Sequence, residues 1–202
     1  MNFLRLVVAI VMGCGLSSLS LLRADDSAAP FSLGKQYSTE TVITTKDGTN
    51  LTSKSFFDEG KLRTEMNAHG MQMVTIVRPD LKKVYQVMVA QRMVMEMPYD
   101  PDKFKKQTVA ATGPEGKFEV VGPETVDGVA CTKYKVTTKD NKVFFYWINT
   151  AQKLPVKMAA EDGSFTLVWK NYKAGPQDAS LFVPPADFQP MTMPAMPSSG
   201  SQ

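Results

Sequence analysis

Between Leu62 and Met97 methionine recurs in groups spaced by two residues. Met71 and Met73 make one pair, Met93, Met95 and Met97 an alternating triplet, and Met66 and Met88 stand beside them. A period of two sends alternate side chains to one face of a β-strand. This stretch therefore folds as strands that carry thioethers on one face. Methionine is unbranched and polarisable and fills irregular gaps, so such a face is greasy and deformable. It suits apolar guests of variable shape, and it suits an ordinary core as well.

The rest of the chain repeats the theme. From Gly34 onward, apolar and aromatic runs are separated by turn signals, the spacing of an antiparallel β protein. Strands are expected at 34–45, 51–57, 61–66, 71–77, 83–89, 92–97, 118–121, 130–137, 143–148, 156–159 and 165–172. Alternation puts Phe145 and Trp147 on one face of their strand, and Phe165 and Trp169 on one face of theirs. One helix is legible over 101–111. Asp100 can cap it, Pro101 suits its first position, and Gly113-Pro114 stops it.

The ends read differently. Arg5, an apolar run over 6–22 and Ala24 before Asp25-Asp26 predict a secretory signal peptide over 1–24 and a periplasmic protein. The stretch around Cys14 loosely resembles a bacterial lipobox, which would instead make Cys14 a lipidated first residue. Residues 25–33 read as a linker, 34–188 as a single β domain, and the Met-, Pro- and Ser-rich residues 189–202 as a disordered tail. Removing residues 1–24 takes away Arg5 and Arg23, leaving 21 basic against 20 acidic residues by subtraction. A nearly neutral chain with no cationic cluster argues against nucleic-acid binding. A monomer is expected.

Catalytic and metal chemistry finds little to build on. The only histidine, His69, sits in a turn sequence, which leaves no Cys-His cluster for zinc and no evident nucleophile–base pair. The mature chain keeps a single cysteine, Cys131, in a strand sequence where a buried structural role is expected. The acidic residues sit beside Gly, Pro or Lys in turns, whose chemistry accounts for them. No enzyme and no cofactor are expected.

Two binding readings use the methionines differently. In the first, Met66, Met71, Met73, Met88, Met93, Met95, Met97, Phe145, Trp147, Phe165 and Trp169 line an apolar cavity for a lipid or acylated ligand. Each buried methylene would contribute ~0.8 kcal/mol. In the second, thioethers bind the soft ion Cu(I), supplied by Met191, Met193 and Met196 of the tail or by the Met93–Met97 triplet. A third class is an envelope interaction module whose aromatic and methionine residues merely fill a core.

Several motifs carry a family resemblance. They are Lys61-Leu-Arg-Thr-Glu-Met66, Met71 to Asp80, Lys83 to Met97, Val126 to Tyr134, Tyr146-Trp-Ile-Asn149, Lys153-Leu-Pro155, Ser180-Leu-Phe182 and Pro184 to Phe188. Together they resemble an uncharacterised exported family of the lipoprotein-carrier (Lol-like) superfamily. The resemblance implies a mainly β fold with minor α: a curved antiparallel sheet forming an unclosed barrel, with a helical lid over an apolar cavity. It also implies periplasmic carriage of lipoproteins or lipids, or their sensing in envelope signalling, and an envelope protein partner. Arg63 matches a position where arginine recurs in the resembling family. The region before Gly34 is too short for a long opening helix.

Overall fold

The computed structural model describes residues 29–68, 71–102, 104 and 116–191. The expected signal peptide, Cys14, His69, Met193, Met196 and most of the expected helix over 101–111 lie outside these residues.

The strands are β1 (Gln36–Thr45), β2 (Asn50–Asp58), β3 (Lys61–Ala68), β4 (Met71–Arg78), β5 (Lys83–Met88) and β6 (Met93–Pro98). They continue with β7 (Gly116–Val126), β8 (Val129–Thr138), β9 (Val143–Asn149), β10 (Pro155–Ala160), β11 (Phe165–Ala174) and β12 (Gln189–Met191). Short 3-10 turns occupy Pro79–Leu81 and Ala179–Phe182. All twelve strands form one sheet, ordered β12-β6-β5-β4-β3-β2-β1-β11-β10-β9-β8-β7. Neighbours run antiparallel except β12, which lies parallel to β6. The edges β7 and β12 do not pair with each other, so the curved sheet is an unclosed barrel. Among the described residues no helix is long and apolar enough to cross a membrane.

Turn chemistry explains the tight hairpins. Asp58 pairs with Lys61 across Glu59-Gly60, and Val126 pairs with Val129 across Asp127-Gly128. All four turn residues have positive φ, as a two-residue turn that follows the strand twist requires, and glycine takes the second position without strain. β7 runs beyond its expected end at Val121. A bulge between Val120 and Gly122 absorbs the irregularity, and Pro123 is tolerated on an edge strand.

Directly opposed residues share a face, so the pairing register assigns every strand side chain to one of two faces. The inner face carries Tyr37, Thr39, Thr41 and Ile43 of β1 and, through successive partners, Met66, Met73, Met88 and Met93. Two segments cover opposite faces in opposite halves. On the inner face of β8–β11, Phe31 packs with Val136, Tyr146, Ile148, Met158, Leu167 and Trp169, and stacks on Tyr146 at 5.6 Å. On the outer face of β4–β6, Phe182 seals Val74, Ile76, Tyr85 and Val87, with Leu181 and Phe188 packed alongside. Arg63 Nη1 donates to the Leu181 carbonyl at 3.1 Å, and Arg78 Nη1 to the Phe182 carbonyl at 3.1 Å. Arg63 also pairs with Glu65 at 2.7 Å, so it works as a structural clamp on this strap.

Two segments correct sequence expectations. The residues read as a linker over 25–33 include Phe31 and Leu33, which are buried. The tail read as disordered from residue 189 begins as strand β12, whose Gln189 amide donates to the Arg92 carbonyl at 2.8 Å. In both cases tertiary packing gives order to a segment whose local sequence has no periodicity.

Candidate functional site

A cavity of about 460 Å³ opens on the inner face of β1–β3 and β11. Segment 31–34 borders it on one side and Phe104, which packs edge-on against Tyr99 at 5.6 Å, reaches it from the start of the expected lid helix. Its walls are Phe31, Leu33, Tyr37, Ile43, Phe57, Leu62, Met66, Leu167 and Trp169. That volume falls within the ~300–1,000 Å³ range of small-molecule sites, and a mostly apolar lining with few polar groups is their usual character.

The polar groups form a line. Thr39, Ser55, Thr64, Thr75 and Gln86 are successive cross-strand partners over β1–β5, and the first three line the cavity. A second row begins with Thr41 and Ser53, whose hydroxyls lie 2.7 Å apart. Thr39 donates to the Lys170 carbonyl at 3.1 Å, and Ser55 and Thr64 hydroxyls face each other at 3.4 Å. A hydroxyl pair needs only one of its two protons, so each pair keeps a donor for a guest. Sequence reading missed this row because register alone creates it.

At one end of the row, aromatic stacking closes the wall. Tyr37 stacks on Phe57 at 5.5 Å and on Tyr172 at 5.9 Å, and the Tyr172 hydroxyl donates to the Leu33 carbonyl at 2.7 Å. Burial, and then the neighbouring Tyr172, push the Tyr37 phenol up to about 12.

The expected site residues divide. Met66 and Trp169 line the cavity. Phe165 shares the inner face with Trp169 and packs against the inner core of the β8–β11 half. Met71, Met73, Met88, Met93, Met95 and Met97 share the same inner face, extending it from β3 to the β6 edge. Met71 is 58% and Met73 40% exposed, so these two are not core filler. Met191 joins that face opposite Met95. Phe145 and Trp147 do not belong with them, which corrects their expected place in the lining. Trp147 opposes Lys133 and Lys157, on the outer face, where both ammonium groups lie over its ring at 4.8 Å. Both faces of β9 are apolar, so alternation could not decide between them.

The other chemical groups behave structurally. The Cys131 thiol is buried, which pushes its ionisation up, and it donates to the Val129 carbonyl at 3.4 Å. Carboxylates at Asp47 and Asp162 are held below their ordinary range, first by the Thr45 hydroxyl and by the Ser164 amide respectively, in turns. Among the described residues no cluster of three or more His, Cys, Asp or Glu residues is placed to hold a metal.

A family profile described as a domain of unknown function, DUF4412, matches residues 40–150, from β1 through β9. The chain belongs to the DUF4412 family. No curated protein matches it in sequence. Among solved structures it is similar to an uncharacterized conserved protein from Thermus thermophilus, at 13% identity and a TM-score of 0.58, over 80% of this chain and 93% of that one. It also resembles MucB of Pseudomonas aeruginosa, solved with MucA, at 15% identity and a TM-score of 0.49, over 78% of this chain and 58% of that one. A LolA superfamily protein from Nitrosomonas europaea is similar at 9% identity and a TM-score of 0.35, over 78% and 94%. The first likeness shows a shared fold, and the other two are looser resemblances of shape. The expectation of an uncharacterised family is met.

Proposed function

We propose that this DUF4412 protein is exported to the periplasm and binds a lipid or acylated ligand there, as a carrier or as a sensor acting with an envelope partner. The cavity carries this reading: an apolar chamber of about 460 Å³ left open beside packed cores, and continuous with a face of deformable methionines. Acyl chains would lie against Phe57, Leu62, Leu167 and Trp169, and an ester or amide would meet the hydroxyls of Ser53, Ser55 and Thr64. A sheet face of this kind gains affinity methylene by methylene, without directional contacts. The protein then acts by binding and release rather than by catalysis.

Native mass spectrometry on protein from its own envelope fraction, followed by organic extraction, tests the proposal. A stoichiometric lipid adduct is expected, weakened in Leu62→Asp, which places a carboxylate in the chamber. A clean apo mass, with no uptake of an added apolar fluorophore, would overturn it. The same spectrum reads the N-terminus, and a mass beginning at Asp25 is expected.

A further inference from the structure

The methionine face has a feature that a lipid chamber does not need. Met66, Met73, Met88 and Met93 are directly opposed from strand to strand, Met66 to Met73, Met73 to Met88 and Met88 to Met93. Adjacent strands lie about 4.8 Å apart, so three neighbouring thioethers on flexible three-torsion side chains can converge on one small ion. Met66 turns into the cavity wall, which leaves Met73, Met88 and Met93 on three consecutive strands. Strands β4–β6 use Val74, Ile76, Tyr85, Val87 and Val94 where they pack on the outer face. They place methionine on the uncovered face, and Met73 there is 40% exposed. A hydrophobic role would favour burial of that side chain, whereas a ligand role requires access.

We infer that Met73, Met88 and Met93 form a site for a soft monovalent cation, Cu(I). Thioether sulfur is a soft, neutral donor, so the site selects Cu(I) over Zn(II) or Mg(II), which need charged or harder ligands. Met95 and Met191, opposed on β6 and β12, add further sulfurs beside it. Thioethers have no proton to lose, so affinity is independent of pH where cysteine or histidine sites weaken in acid.

The test titrates the full chain against the coloured Cu(I)–bicinchoninate complex, under ascorbate and without oxygen. Wild-type protein is expected to withdraw one equivalent of Cu(I), equally well at pH 5 and pH 7. The triple variant Met73→Leu, Met88→Leu, Met93→Leu keeps side-chain volume and therefore the fold, which circular dichroism checks. It is expected to weaken binding by more than about 100-fold, above the ~10–100-fold cost of losing a ligand's supporting hydrogen bond. Met158→Leu, in the buried core of the other half, leaves affinity unchanged. Failure of the wild type to withdraw copper overturns the inference, as does an unaffected triple variant. Loss of binding when the chain is ended at Met191 also overturns it, because the tail would then be the ligand. The titration uses protein whose native mass spectrum shows no lipid adduct, so that its failure is distinct from failure of the lipid reading.

Discussion

The two faces of strands β3–β6 come from alternating residues of one stretch of chain yet serve different ends. Outward they present Val74, Ile76, Tyr85 and Val87, β-branched or aromatic side chains that sheets favour, sealed by Phe182. Inward they present Met66, Met73, Met88 and Met93 with a row of Thr64, Thr75 and Gln86. In strands β8–β11 the faces exchange roles. There the inner face is packed under Phe31, and the outer face carries Trp147 beneath two lysines. The two core clusters of this sheet are thus each closed by a short segment outside the main strands. What they leave open is an inner surface running from Met66 to Met95.

The contrast can be broken most directly at the strap. Phe182 is 1% exposed, and Phe182→Ala is expected to cost about 3–5 kcal/mol in a urea melt. A loss below about 1 kcal/mol would mean that the outer face of β4–β6 does not depend on the strap.

The packed edge of the chamber gives the next largest effect. Tyr37 is 5% exposed and its phenol is pushed up to about 12, so the folded state resists ionisation longer than the unfolded chain. Below about pH 10 both states hold the proton and the contribution is intact. It is lost as pH rises towards 12, amounting to about 3 kcal/mol for a shift of this size. Tyr37→Phe should flatten that alkaline decline in a pH series of melts, with a residual slope from Tyr146, which burial also pushes up.

Smaller effects are expected outside the two sealed cores. Lys133→Met removes a cation from over both Phe145 and Trp147, a loss of about 0.5–2 kcal/mol per contact, the upper figure applying over the buried Trp147 ring. Met73→Ala, on the uncovered face, should change stability by less than about 0.5 kcal/mol while altering binding. A large stability loss there would show that the methionine face is a packed core after all.

Much of this architecture was legible in the sequence, because alternation and turn residues act locally. Met71-Gln-Met-Val and Met93-Val-Met-Glu-Met marked the strands and put their methionines on one shared face, without saying which face lines the chamber. What stayed hidden depends on distant partners. Nothing in Ala29-Pro-Phe-Ser-Leu33 announces that Phe31 will seal a core built from residues beyond 130. The hydroxyl row of Thr39, Ser55 and Thr64 exists only once register brings three strands together. Phe145 and Trp147 were misplaced because Phe144, Tyr146 and Ile148, on the other face of β9, are equally apolar.

The two straps also set when the protein can fold. Phe31 precedes β1 and completes β8–β11, whereas Phe182 follows β11 and completes β2–β6. Each half of the sheet is therefore completed by a residue distant in the chain. Loop closure of that span makes folding late and collective. A chain entering a compartment N-terminus first would keep β2–β6 unsealed until residue 182 arrives.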